Sequence, residues 1–155
     1  MQDPKSLTSV ALFHETFKHP VLPEPTIPSE SRCNLRVSLL AEELKELEEG
    51  IKNKDIVEIA DALCDLQYVL SGAILEFGLG EKFKALFDEV QRSNMSKACE
   101  TEEEAKATVA HYQAKGTACF YEKEGELFLV FREGDRKTLK SVNYSPADLK
   151  GIVEK

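Results

Sequence analysis

Several residue types and patterns are scarce or missing in this chain of 155 residues. Tryptophan is absent, and no apolar run approaches the roughly 20 residues that a transmembrane helix needs, since the longest is Val69 to Leu75. No run of lysine or arginine occurs, and the net charge is -8. An acidic chain without a basic run repels the phosphates of a nucleic-acid duplex. The sequence therefore predicts neither a membrane protein nor a duplex nucleic-acid binder.

Cysteine is also sparse and lacks the C-x-x-C spacing of common metal and redox motifs. A chain of this length does not need disulfides to fold, so we expect reduced thiols and a cytoplasmic protein. The four positions are Cys33, Cys64, Cys99 and Cys119.

Missing motifs argue against two classes of enzyme. No G-x-x-x-x-G-K-[ST] run occurs, which argues against a P-loop enzyme. None of His14, His19 and His111 follows a glutamate by three residues, which argues against a di-iron carboxylate bundle.

Helical patterns dominate the first two thirds of the chain. Apolar residues recur every three or four positions, and caps or glycines mark the ends of the segments. A proline-rich stretch from Pro20 to Pro28 predicts an extended connector after the first helix. The predicted helices are Ser6 to Phe17, Ser31 to about Lys52, Asp55 to Leu75, Phe83 to about Asn94, and Thr101 to about Gly116.

The pattern changes after residue 117. β-forming residues on both sides of Gly125 predict a hairpin over Ala118 to Arg132, with a third strand near Thr138. Ser145 is expected to cap a short terminal helix. The predicted fold is mainly α, an antiparallel helical bundle with a small C-terminal β-hairpin. We expect one domain over 1–155, with a helical core at about 6–98 and an extension at about 101–155.

One strip of the third predicted helix is purely acidic. From Ile56 to Leu75 the only charged residues are Glu58, Asp61 and Asp65. At 100° per residue they fall within about 60° of one another. Apolar neighbours predict that this strip faces protein, where three like charges without a cation would be costly.

The preceding helix is also rich in glutamate. Glu43 and Glu46 flank its leucine stripe and can face the next helix across a short connection. Four carboxylates could then converge, and all-oxygen coordination suits Mg²⁺ or Mn²⁺. The residues alone leave two interpretations open: a metal site that assists attack of water on phosphorus, or solvated acidic faces with Glu58 acting only as a cap.

The two acidic segments resemble a known signature. Glu42-Glu43-x-x-Glu46 followed by Glu58-x-x-Asp61 is similar to the EExxE and ExxD motifs of MazG-type pyrophosphohydrolases. Phosphoribosyl-ATP pyrophosphohydrolases and all-α dUTPase-like enzymes share these motifs. The resemblance covers roughly Phe13 to Lys97 and implies hydrolysis of a nucleoside triphosphate to a monophosphate and pyrophosphate.

The resemblance also implies roles for individual residues. Glu43, Glu46, Glu58 and Asp61 would hold Mg²⁺, with Mn²⁺ as a substitute, and Glu42 would position or deprotonate the attacking water. The implied contacts with the nucleotide are Lys97, Asn94, Asp65, Arg36 and His14.

Several alternatives stay open from the sequence. The substrate is an ordinary, deoxy or non-standard nucleotide, or a phosphoribosyl-ATP-like compound. A non-catalytic acidic helical module that binds a partner or a structural cation is the rival from a different class. Apolar stripes on several helices predict a homodimer or homotetramer. The hairpin and terminal helix are expected to form a lid, a subunit contact or both.

Overall fold

The structure, a computed structural model, describes residue 2 and residues 4–154 and is mainly helical. It confirms the predicted mainly α fold with a small C-terminal hairpin. The elements are α1 (Ser6–Phe17), α2 (Glu30–Asn53), α3 (Ile56–Glu76), α4 (Phe83–Met95), α5 (Glu102–Gln113), β1 (Cys119–Glu124), β2 (Leu127–Arg132) and α6 (Lys150–Val153). The chain divides into two compact units, Met1–Phe83 and Lys84–Lys155. The first unit ends at Phe83, the first residue of α4, a helix that the sequence assigned to the helical core. That the chain forms one domain stays a prediction.

The first unit is built on a hairpin of α2 and α3. Its turn is short, because Lys54 adopts a left-handed conformation and the Asp55 backbone N–H donates to Gly50 O at 3.0 Å. The Asp55 side chain then caps α3 by accepting from the backbone of Val57 and Glu58. A Cβ on Gly50 would lie 3.1 Å from the Ile59 nitrogen. A residue without a side chain therefore lets the two helices approach closely beside the turn.

The proline-rich connector forms no helix or strand and lies against the C-terminal end of α3. Leu22 N–H donates to Leu75 O, and Thr26 N–H donates to Phe77 O, both at 3.0 Å. Gly78 has φ +67°, and a Cβ there would lie 1.8 Å from Glu24 O. Only glycine fits this crossing, because any side chain would strike the connector backbone.

Burial along α3 differs from the expectation. Its C-terminal part from Ser71 to Glu76 is buried, but Glu58, Asp61 and Asp65 are exposed on the single chain. The expectation that the acidic strip faces protein was wrong. The reason is geometric. α3 packs against α1 and α2, but Glu58 and Asp61 line an open groove beside α2 instead of lying under a neighbouring helix.

The second unit has its own small core. α5 packs on the antiparallel strands β1 and β2, whose register pairs Tyr121 with Val130. The predicted third strand near Thr138 is present only as an isolated bridge to Phe131. The buried core residues are Cys99, Ala105, Cys119, Val130 and Leu139.

The terminal helix begins later than predicted. Ser145 does not cap it, and α6 starts at Lys150. The Ser145 backbone N–H donates to Ser96 Oγ, and the Asp148 backbone N–H donates to Glu89 Oε1, each at 2.9 Å. The Asp148 N–H, which a Ser145 cap would have used, is thus bonded to Glu89, and residues 145–148 lie outside the helix.

Two further expectations concern cysteines and membranes. All four cysteines are free thiols. None of the helices in the described part of the chain combines the length and the apolar character needed to span a bilayer.

Candidate active site

An acidic groove lies between the C-terminal half of α2 and the N-terminal half of α3. It is a cavity of about 260 Å³. Because the turn at Gly50 is tight, successive glutamates of α2 face the first turns of α3. The lining residues are Glu46, Glu49, Asn53, Glu58 and Asp61.

Glu43 shows how closely the carboxylates approach one another. It is half-buried, whereas the other carboxylates are exposed. Burial raises the pKa of Glu43 above its ordinary value, and the charges of Glu46, Asp65, Glu42 and Asp61 raise it further. The structure therefore brings acidic residues of both motifs within electrostatic reach of one side chain.

Two residues of the groove were not among the predicted site residues. Glu49 and Asn53 line it, and Asn53 Nδ2 donates to Glu58 Oε2 at 3.5 Å. A signal for both was present, since positions 42, 46, 49 and 53 lie on one face at helical spacing.

The donor set of the groove suits a hard divalent cation, because every donor is a carboxylate or amide oxygen. Among residues 2 and 4–154, no three His, Cys, Asp or Glu side chains stand close enough together to hold a metal ion as they are placed. The groove residues therefore have the right donor atoms for a divalent cation and lie on two facing helices. To bind the cation together, their side chains would have to rotate toward one another.

A buried ion cluster lies further along the same helices. Arg32 and Arg36, one turn apart on α2, both form salt bridges with Glu76 at the end of α3. Burial alone raises the pKa of Glu76, but hydrogen bonds from Arg36 and Arg32 outweigh it and hold the pKa below its ordinary value. Arg32 and Glu76 were missed in the sequence, although two arginines at positions i and i+4 share one helix face.

His14 joins this cluster from α1. Its Nδ1–H donates to Pro20 O at 2.8 Å, and Nε2 lies 3.3 Å from Arg36 Nη2, which donates to it. Burial lowers the pKa of His14, which keeps the ring neutral and able to accept. His14 and Arg36 also line a cavity of about 220 Å³ with the rings of Phe13 and Tyr68.

Asn94 and Lys97 lie in the second unit. Lys97 Nζ donates to Asn94 Oδ1 at 2.7 Å, so these two predicted substrate contacts are paired with each other. Their predicted contact with a nucleotide stays a prediction.

A comparison with known families identifies the family of the region that carries the acidic groove. The family model described as phosphoribosyl-ATP pyrophosphohydrolase matches residues 10–94, more than half of the chain. The chain belongs to the phosphoribosyl-ATP pyrophosphohydrolase family. The match includes α2, α3 and every carboxylate of the acidic groove. Members of this family are pyrophosphohydrolases, enzymes that hydrolyse acid anhydrides, and they typically use a divalent metal. A search of curated proteins found no match.

Proposed function

We propose that this pyrophosphohydrolase cleaves a nucleoside triphosphate between the α and β phosphates, yielding a nucleoside monophosphate and pyrophosphate. The observation that carries the proposal is the acidic groove, in which carboxylates of α2 and α3 meet inside the region matched by the family. The substrate is an ordinary, deoxy or non-standard nucleotide, and phosphoribosyl-ATP is the alternative that the family description supports.

Glu43, Glu46, Glu58 and Asp61 are proposed to hold Mg²⁺, or Mn²⁺ in its place. The raised pKa of Glu43 supports this assignment, because a cation relieves the repulsion among the carboxylates that causes part of the shift. Exposed side chains can change rotamer at little cost, which permits the oxygens to close on an ion. A bound divalent cation neutralises phosphate charge and polarises the phosphorus centre toward attack.

Glu42 is proposed to orient the attacking water and accept its proton. It is exposed and adjoins Glu43, and it does not line the groove. A carboxylate beside the metal ligands, and not itself a ligand, is placed to act as a general base.

The remaining predicted contacts are proposed to hold the nucleotide. The cavity of His14 and Arg36 is lined by Leu39 and Tyr68, which lie four residues from Glu43 and three from Asp65. A base bound there would therefore be about one helical turn from the carboxylates. Lys97 and Asn94 are proposed to contact phosphate oxygens, and Asp65 the substrate or its metal.

The proposal is tested with a panel of nucleoside triphosphates, deoxynucleoside triphosphates and phosphoribosyl-ATP, scored for pyrophosphate release with Mg²⁺. We expect release with at least one member, none in excess chelator, and loss of turnover without loss of Mg²⁺ affinity in Glu42→Gln. Orthophosphate as the sole inorganic product, or full activity in chelator, would overturn it.

We further propose that the chain forms a homodimer or homotetramer. Ile56 and Val57 are each 74% exposed, and Leu63 is 51% exposed, on the unit that carries the groove. An apolar surface of this kind is usually covered by a partner.

A further inference from the structure

Basic and hydroxyl side chains converge on Tyr144 in the second unit. The Tyr144 hydroxyl lies 2.9 Å from the hydroxyl of Ser93, and Ser93 is buried in α4. The Lys140 ammonium lies 4.2 Å from the centre of the Tyr144 ring. The backbone at Lys97 is joined by a hydrogen bond to the segment that carries Tyr144. We name Lys97, Lys140 and Tyr144 the Tyr144 cluster.

The backbone fixes the members of the Tyr144 cluster relative to one another. Ser141 N–H donates to Lys97 O at 3.2 Å, and Tyr144 N–H donates to Ser141 O at 3.0 Å. Ser145 N–H donates to Ser96 Oγ at 2.9 Å. Residues 141–145 are thus bonded directly to the chain that follows α4, which fixes the backbone of the site before a ligand binds.

The two ammonium groups are not neutralised by carboxylates. In the described part of the chain, neither Lys97 nor Lys140 forms an ion pair. Lys97 donates to the amide oxygen of Asn94, which leaves the amide N–H groups of Asn94 as further donors. Glu104 contacts this segment, but its two oxygens accept from the Ser141 hydroxyl and from the Glu100 backbone N–H.

The direction in which the pKa of Tyr144 shifts agrees with positively charged surroundings. The hydrogen bond with Ser93 lowers the pKa of Tyr144, burial opposes the shift, and the charges of Lys140 and Lys97 lower it further. A site that stabilises a phenolate oxygen also stabilises other negative oxygens, because the same donors and charges act on both.

We propose that Lys97, Lys140 and Tyr144, with Asn94, form a phosphate-binding site that takes either the phosphate chain of the nucleotide or the released pyrophosphate. Two ammonium groups, a phenol and an amide offer more donors than a single carboxylate can accept. A phosphate or pyrophosphate carries enough oxygens and charge to use them all. The inference deepens the proposed function and rests on it for the identity of the ligand. It adds Lys140 and Tyr144 as binding residues and makes Ser93 a positioning residue, which holds the Tyr144 hydroxyl.

The test is calorimetric titration of the full chain with inorganic pyrophosphate in excess chelator. Without a divalent cation the acidic groove repels anions, so binding reports on the Tyr144 cluster. We expect binding that weakens as salt rises. Lys140→Gln should weaken it about tenfold or more, as loss of a charged hydrogen-bond donor does. Tyr144→Phe keeps the ring and should weaken it about fivefold.

Lys137→Gln is the matched control, because Lys137 is an exposed lysine of the same unit and forms no described ion pair. We expect it to bind pyrophosphate as the wild type does. Thermal melts of each variant verify folding, and Lys140→Gln changes only an exposed side chain. No binding by the wild type, or binding that Lys97→Gln and Lys140→Gln leave unchanged, overturns the site.

A parallel titration in chelator with a nucleoside triphosphate distinguishes the two sources of phosphate. If Lys140→Gln weakens the triphosphate and pyrophosphate alike, the site takes the substrate chain. If it weakens pyrophosphate alone, the site takes the product. Both results support the site. If the chain hydrolyses a nucleotide with magnesium but does not bind pyrophosphate in chelator, this inference alone is overturned. If it binds pyrophosphate in chelator but hydrolyses no nucleotide, the proposed function alone is overturned.

Discussion

The acidic residues of the two motifs place like charges close together, at the site proposed for a cation. Glu43, beside the groove, is the most informative residue, because its pKa is raised by burial and by carboxylates from both α2 and α3. A bound cation, as proposed above, would relieve this repulsion. A residue that serves chemistry at the expense of stability leaves a signature that melting experiments can detect.

Asp61→Asn should melt at or above the wild-type temperature in chelator. The gain should be small, about 0.5 kcal/mol or less, because Asp61 is exposed and surface repulsion is weak. With Mg²⁺ the wild type should gain stability by mass action and the variant much less. Turnover should fall more than about tenfold. Thermal melts with Mg²⁺ and with chelator, beside one activity assay, measure all three.

Glu48→Gln provides the control for this experiment, because Glu48 is exposed on α2 but does not line the groove. We expect its Mg²⁺ response and its turnover to match the wild type. An Asp61→Asn protein that is less stable yet fully active would contradict the metal site.

His14 should make the stability of the fold depend on pH. Its pKa is lowered below the ordinary 6.5 by burial, so the unfolded chain binds more protons than the folded one as pH falls through this region. The contribution of neutral His14 to the free energy of unfolding is therefore complete above about pH 6.5 and is lost as the pH falls below it. Glu76, whose pKa is also lowered, adds a second loss below its ordinary value of 4.5.

Chemical denaturation at several pH values between 5 and 8 measures the effect of His14. The unfolding free energy of the wild type should fall toward pH 5, and His14→Phe should show a flatter profile. His111→Gln, on the exposed face of α5, should keep the wild-type slope. A His14→Phe profile as steep as the wild type would show that another group titrates.

The start of α3 links helix formation to the geometry of the groove. The Asp55 side chain accepts from Val57 N–H at 2.9 Å and from Glu58 N–H at 3.2 Å. The same turn carries Glu58 and leads to Asp61. A change at the cap therefore affects both stability and the carboxylates that face α2.

Asp55→Ala should lower the unfolding free energy by about 1 kcal/mol, the usual effect of removing an N-cap. Asp55→Asn keeps a capping oxygen and should remain close to the wild type. Urea titrations of the three proteins give the comparison. If Asp55→Ala and Asp55→Asn lower the unfolding free energy equally, the charge at residue 55 matters and the capping hydrogen bonds do not.

The apolar surface of the first unit predicts association of whole chains. Leu63 is 51% exposed beside the buried Ala62, and Ile51 on α2 is 58% exposed. A chain that leaves so many large apolar side chains uncovered gains from burying them against a second copy.

Leu63→Lys should shift the chain toward monomer in light scattering after gel filtration and remove any dependence of melting temperature on protein concentration. Leu127→Lys, on the hairpin, tests the subunit contact expected there: an unchanged oligomer would assign the contact to the first unit alone. A wild type that is monomeric at all concentrations would contradict the proposed homodimer or homotetramer.

The sequence by itself determined the helices, the hairpin and the two acidic motifs. These features depend on neighbours within a few positions: apolar spacing, the cap at Asp55, the turn at Gly125 and the acidic strip on α3. The predicted start of the terminal helix was wrong, because the Ser145 backbone bonds to Ser96, a residue 49 positions away. Local preference cannot anticipate a partner that distant.

Only the tertiary structure decided which residues meet. It paired Arg36 with Glu76, 40 residues later, brought Lys140 to the ring of Tyr144, and placed the acidic strip at the exposed rim of α3 instead of inside. Helical periodicity tells which side chains share a face, but the direction of that face is set by the packing of neighbouring elements. The oxygen-donor character of the groove was therefore predictable from residue types, and its binding of a cation stays a prediction. The buried ion cluster and the Tyr144 cluster arose from contacts between segments far apart in the chain.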